Sequence, residues 1–491
     1  MSRFDEQREA RRLKRAEMIA AGINPYPARS KRTHRCANAA ADFDRLVAAK
    51  EPITLAGRIR ALRPHGGTTF LELEDESGIF QLVFSRDTLG QDTYPALMKS
   101  IDLGDFFEAT GSLIKTRSGQ PTLAATSGGM LAKALRPLPE KYYGLKDIET
   151  RLRRRYLDLL MNPGVRELFQ RKAVFWSTVR TTLVQAGFLE VETPVFESVP
   201  GGAEAEPFVT HHNALDQQVT LRISLELPLK RLLVGGFEKV FEIGRIFRNE
   251  GISAEHLQDY TQMELYWAYA DYRDLMEFVP ELYREVLRST VGSLRMTYAG
   301  QTVDWGAPWE RYDYYDLFAR HAGLDLHSSD VPELKKTAQR LRCSIADYAQ
   351  RGRLIDAIYK KAVRPHLVKP GFLLDPPVEV EPLAKRHEND PTRVERFQVV
   401  AWGSELGKGF SELNDPVDQQ ERFEEQMRLR NAGDKEAQRL DADFLDALEY
   451  GMPPAAGFGM SERLFAFSVD RPVRETVIFP LMKEEKGHND A

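Results

Sequence analysis

Residues 237–269, FEKVFEIGRIFRNEGISAEHLQDYTQMELYWAY, allow few folds. Apolar and polar residues alternate twice, on either side of a polar, glycine-containing stretch at 249–258. Strand parity puts Phe241, Ile243 and Phe247 on one face, with Glu242 and Arg248 on the other. In the returning segment Met263, Leu265 and Trp267 are apolar, while Tyr260, Gln262, Glu264 and Tyr266 point the opposite way. The pattern predicts a long antiparallel hairpin whose greasy face needs a cover and whose other face carries Arg, Glu and Tyr. Such a face suits the floor of a substrate site. A solvent-exposed hairpin is the competing reading, and the aromatics on the polar side count against it.

The flanking sequence is consistent with a layered domain. Phe169, Ala173, Trp176, Val179 and Leu183 recur at helical spacing, and Gly187 ends that helix. A short alternating run then closes at Pro194. Upstream, from about Pro52 to Leu138, five alternating stretches are separated by Gly, Asp and Ser turns, which fits a small closed barrel of the OB type. Residues 2–21 are dense in Arg, Lys and Glu, and read as a helix that packs on its neighbour or as a basic arm for RNA. The resulting division is an N-terminal helical arm at 1–48, a barrel at 49–140 and a larger domain at 141–491. The class is α+β.

A net charge of −5 argues against a protein that coats nucleic acid non-specifically. Two cysteines are too few for a disulfide framework or a cysteine-rich zinc site. No apolar run has membrane-spanning length, and the N-terminus lacks the apolar core of a signal peptide. A cytoplasmic protein, without membrane or DNA partners, is expected.

Two further clusters carry polar chemistry. In GSELGKGFSELND (403–415), Lys408, Phe410 and Glu412 share strand parity. In GFGMSER (457–463), glycines that permit close backbone approach precede an arginine able to meet phosphate. With GFLEVETP (187–194), PGGAEAEPF (200–208), FRNEGIS (247–253) and MELYWAYADY (263–272), these segments resemble the signature motifs of class II aminoacyl-tRNA synthetases. The local sequence is most similar to the lysyl type.

That resemblance implies an OB-fold anticodon-binding barrel joined to a catalytic antiparallel sheet flanked by helices. It also implies a homodimer with Pro194 near the interface. The substrates would be L-lysine, ATP and tRNA(Lys), with Mg²⁺ on the phosphates. Arg248 and Arg463 would be the catalytic arginines. Glu250, His256, Tyr260 and Glu405 would complete the ATP site, and Glu405 with Gln398 would hold the metal. Lysine would meet Gly202, Glu226, Glu264, Tyr266, Lys408, Phe410 and Glu412 as well as Arg248. In the barrel, Arg58, Phe70 and Gln81 would read the anticodon.

Four positions depart from the family pattern. Gln398 stands where an acid is usual, Lys408 where Asn is usual, and Pro228 beside Glu226 replaces a common Tyr. The third motif is one residue short, with Glu462 for Asp. An aspartate- or asparagine-type synthetase, or a catalytically impaired paralogue that binds RNA, are the alternatives these departures leave open.

Overall fold

The computed structural model describes residues 3–139, 145–251, 257–346 and 349–484. The chain divides into two compact units, 1–144 and 145–491.

In the first unit, β1 (Ile53–His65), β2 (Thr68–Asp75), β3 (Gly78–Ser85), β4 (Phe106–Lys115) and β5 (Pro121–Ala132) close into a barrel in the order β1-β2-β3-β5-β4. The OB-type barrel expected from the turn spacing is what forms. Alternation sorts the strands: Leu71 and Leu73 are fully buried inside, while Phe70 and Glu72, which alternate with them, face outward. The charged N-terminal segment is the helix α1 (Arg3–Ala20). It packs through its charges. Arg11 is buried and donates to the carbonyls of Leu103, Ala134 and Arg136, and Lys14 pairs with Asp102 at 2.7 Å.

The second unit is built on an eight-stranded sheet. Its strands are β6 (Leu189–Glu190), β7 (Lys239–Phe247), β8 (Asp259–Ala268), β9 (Glu310–Asp313), β10 (Gly371–Leu374), β11 (Arg396–Ala401), β12 (Ser404–Ser411) and β13 (Ala455–Ser461). They lie in the order β9-β10-β11-β12-β13-β8-β7-β6, antiparallel except at the two edges. The predicted hairpin is β7–β8, with Phe241 opposite Leu265 and Ile243 opposite Met263. Its greasy face is covered by α2 (Pro163–Gln185) and by α4 (Tyr272–Val291), with α3 (Glu226–Val234) between them in the chain. The buried line of α2 runs through Val165, Phe175, Val179 and Leu183. Ala173, placed on that stripe by spacing alone, is exposed, because two residues turn a helix by about 200° and Phe175 takes the inward position. Among the described residues no helix is long and apolar enough to cross a membrane.

A buried ion pair ties the segment before Pro194 to the hairpin. Arg222 Nη1 donates to Glu242 Oε1 at 2.7 Å and to the Thr193 carbonyl at 3.0 Å, and its Nε donates to the Arg245 carbonyl at 2.8 Å. The other Glu242 oxygen accepts from the Thr193 amide and hydroxyl. Gly244 is required here, since a Cβ on it would stand 2.3 Å from Arg222 Nη2.

Arg222→Ala leaves Glu242 buried without its cation, a change that costs about 3–5 kcal/mol. All five tryptophans (176, 267, 305, 309 and 402) lie in the second unit, so their fluorescence isolates its unfolding in urea. The midpoint is expected to fall sharply. An unchanged midpoint would mean that Glu242 finds water instead.

Candidate active site

The polar face of the hairpin continues across the sheet as two rows of lateral neighbours. One row runs Glu242, Glu264, Gly459, Lys408, Gln398, and the next runs Val240, Tyr266, Gly457, Phe410, Arg396. The central strand of both rows contributes only glycine. That gap is filled from the sides: a Cβ on Gly457 would lie 2.2 Å from Glu412 Oε1 and 2.5 Å from Tyr266 Cε1. Above the floor is a cavity of about 1020 Å³.

Most of the residues singled out from sequence line this one space. Gly202, Glu226, Glu264, Tyr266, Lys408 and Phe410 are at one part of the wall, and Arg248, Glu250, Tyr260, Gln398, Glu405 and Arg463 also face in. Glu412 differs from the expectation. It is 1 % exposed and sits under the floor, not on the cavity wall. His256 lies outside the described residues.

Glu412 is there because an internal cation holds it. Lys230, fully buried on α3, pairs with Glu226 Oε1 at 2.6 Å and with Glu412 Oε2. Burial works against the Lys230 charge, and the two carboxylates more than offset it, holding the ammonium above its ordinary pKa. Burial pushes Glu412 well up despite the pull of Lys230. The same cause raises Glu226 to about 7, with Lys230 and Lys408 opposing. Sequence reasoning missed Lys230. Its one signal was the i,i+4 spacing from Glu226, which reads equally well as a surface helix pair.

Glu264 is saturated by four donors from two segments, the turn before α3 and its own strand β8. Oε1 accepts from Ser224 Oγ at 2.8 Å, the Leu225 amide at 3.0 Å and Gln262 Nε2 at 2.6 Å, while Oε2 accepts from the Tyr266 hydroxyl at 3.0 Å. These bonds fix the turn that presents Glu226. Gly202 (φ +79°) passes so close that a Cβ on it would be 2.8 Å from Glu226 Cβ. Lys408 is also committed: its Nζ donates to the buried Glu381 at 2.8 Å, and Arg396 approaches the same oxygen at 3.5 Å. Burial opposes the Glu381 charge, yet Lys408 and Arg396 hold its carboxyl below the usual range. Glu381 was the second residue that sequence reasoning missed.

Arg248 donates through Nε to the Ile223 carbonyl at 3.2 Å and lies over the Tyr260 ring. Burial pushes Glu250 up, with Arg248 pulling it back. Arg463, opening the helix α5 (Arg463–Ser468), donates to the Glu405 carbonyl at 2.9 Å. The preceding Glu462 is buried against Lys172 of α2. In the barrel, Gln81 is buried and donates to Thr122 Oγ1 at 2.8 Å. Phe70 is half-buried on the outer face, opposite Arg63 on one side and Val83 on the other. Arg58 stacks on Phe106, its Cζ 4.2 Å from the ring centre.

The cavity thus joins a cluster of carboxylates to the arginines Arg248 and Arg463, groups that a cationic amino acid and a polyphosphate would require. Comparison with known proteins agrees. Residues 147–483 match the model of class II tRNA synthetases (D, K and N), and residues 53–128 match an OB-fold nucleic acid binding domain. The lysine–tRNA ligase of Roseiflexus castenholzii is 45% identical over 98% of this chain and 99% of its own length. Those of Carboxydothermus hydrogenoformans and Trichormus variabilis are 43% and 42% identical, again over 98% of this chain, and over 98% and 88% of their own.

The two glycines of the floor are expected to differ in tolerance. Gly457→Ala must displace Glu412 or Tyr266 and should cost about 1–3 kcal/mol. Gly459→Ala meets nothing closer than Glu264 Cγ at 3.4 Å and should leave the urea midpoint nearly unchanged. Equal effects would contradict the packing described.

Proposed function

The chain belongs to the lysine–tRNA ligases of synthetase class II, and from that premise we propose how its cavity works. It activates lysine with ATP, forming lysyl-adenylate and pyrophosphate, and transfers the lysyl group to the 3′ end of tRNA.

One observation carries the choice of amino acid. A single internal ammonium, Lys230, serves two buried carboxylates, Glu226 and Glu412, and the third, Glu264, has only neutral donors. The deficit favours a ligand that brings positive charge. Glu226 and Tyr266 would meet the ε-ammonium, with Glu412 acting from beneath. Glu264 and the Gly202 backbone would take the α-ammonium, and Phe410 would pack on the methylene stem. An acidic side chain would need a free cation in this place. Lys408, the residue that pointed that way, is tied to Glu381.

Adenylation brings two anions together, the lysine carboxylate and the α-phosphate. Arg248 would bridge them and stabilise the charge that builds up in the transition state. Arg463 would hold the far phosphates of ATP, Tyr260 would stack on adenine, and Glu250 would reach its edge. His256 is proposed for the phosphates as well. For Mg²⁺ the donors lining the cavity are the Glu405 carboxylate and the Gln398 amide, and among the described residues no group of three or more acidic, His or Cys side chains is placed to hold a metal ion. This set fits an ion that arrives on the triphosphate and keeps phosphate oxygens and water as its remaining ligands. Bound there, Mg²⁺ would draw negative charge from the phosphates. In the transfer step, a phosphate oxygen of the adenylate can accept the proton of the ribose 3′ hydroxyl.

The outward Phe70 with Gln81 and Arg58 would stack on and read the anticodon of tRNA(Lys), in the manner of single-stranded RNA on a barrel. Homodimerisation near Pro194 is supported by exposed apolar side chains around it, Leu189, Val195 and Phe196. The working compartment would be the cytoplasm.

ATP–pyrophosphate exchange with each of the twenty amino acids tests the whole reading. Lysine alone should support exchange, and Arg248→Ala should lower it at least about 100-fold. Exchange with another amino acid, or with none, would overturn it in favour of a changed substrate or an inactive RNA-binding paralogue.

A pH profile tests Glu226. Its carboxyl, raised to about 7, must be ionised to pair with an ammonium. Lysine binding is therefore present above pH 7 and lost as pH falls through it. The kcat/KM for lysine should drop toward acid with a midpoint near 7, and the kcat midpoint should lie lower, because the bound ammonium favours the carboxylate. A profile unchanged in Glu226→Gln would exclude this role.

A further inference from the structure

Opposite Glu405 the cavity wall includes a five-residue π-helical turn, Tyr359–Val363, followed by Arg364. Turns of this kind are uncommon and often sit at functional sites. This one is pressed against the β11–β12 hairpin. The Gly403 amide donates to the Leu367 carbonyl at 2.9 Å, and a Cβ on Gly403 would lie 3.6 Å from the Arg364 carbonyl. Arg364 is thereby brought close to the start of the strand that carries Glu405.

One donor on this turn and one just after it have nothing to bond. Tyr359 is 2 % exposed, lines the cavity, and its hydroxyl has no hydrogen-bond partner among the described residues. The buried Arg364 Nε likewise has none, and no described carboxylate lies within ion-pair distance of its guanidinium. Lys360, next to Tyr359, is exposed and shared with Asp356 at 2.7 Å. Tyr359, Lys360, Arg364 and Glu405 all line this one cavity. An orphaned phenol beside an unpaired guanidinium is costly unless an anion completes it. Gln398, an amide that brings no charge, lines the same cavity.

We propose that Arg364 and the Tyr359 hydroxyl, assisted by Lys360, bind the β- and γ-phosphates of ATP. The π turn then supplies from side chains part of the positive charge that the triphosphate needs in this cavity. The inference rests on ATP occupying the cavity as proposed above.

Titration calorimetry of the full chain with ATP and with AMP, at one fixed Mg²⁺ concentration, separates the possibilities. Arg364→Ala should weaken ATP binding by about tenfold or more, and leave AMP and lysine binding as in the unaltered chain. Arg364→Lys should recover part of the loss, and Tyr359→Phe should lose several-fold for ATP alone. The urea midpoint, read by tryptophan fluorescence, should not move in Arg364→Lys or Tyr359→Phe. An equal loss for ATP and AMP, or no loss for either, would overturn the proposal. So would a loss confined to tRNA binding, which would assign Arg364 to an RNA phosphate. Failure of the unaltered chain to bind ATP would instead bring down the underlying reading of the cavity.

Discussion

The pairing of Lys230 with Glu226 and Glu412 is the constraint around which the catalytic unit is arranged. Burying three ions is expensive, and their mutual attraction repays it only when geometry is tight and the remaining lone pairs are used. Here one ammonium is set between two carboxylates, with a third, Glu264, next to them and satisfied by four donors. The cluster sets more carboxylates than cations at one part of the cavity wall. A helix, α3, is needed to aim Lys230 inward, and a strand without side chains at Gly457 is needed to admit Glu412 beneath the floor.

The same bookkeeping explains the far side of the floor. A free lysine at position 408 would cancel the cluster's charge deficit and repel a cationic ligand. The buried Glu381 removes that problem by taking Lys408 for itself, with Arg396 as a second partner. Cation and anion thus enter the cavity wall together, and the electrostatic bias of the carboxylate cluster survives. Toward Glu405 the balance reverses, because Arg248 and Arg364 have no carboxylate partner within ion-pair distance among the described residues.

Rigidity of the floor comes from outside it. Arg222 and Glu242 tie the chain before Pro194 to the hairpin through buried bonds. If a partner subunit covers the apolar side chains there, the hairpin that carries Arg248 is steadied by the same contact.

Several parts of this molecule were legible in the sequence. The period-2 alternation of 237–269 determined which residues face the cavity and which face the helices, since a strand offers only two sides. The five short alternating runs near the N-terminus determined the barrel in the same way, and the motif resemblance brought together residues as distant as Gly202 and Arg463. What the sequence left open were partners that arrive from another segment. Lys230 reads as an ordinary helix pair, Glu381 lies 27 residues from the lysine it neutralises, and nothing in the segment YKKAV marks the π turn at Tyr359. Periodicity records the face on which a side chain stands, and burial alone decides whether its charge is left to water, to a neighbour or to a ligand. That decision was made by tertiary packing.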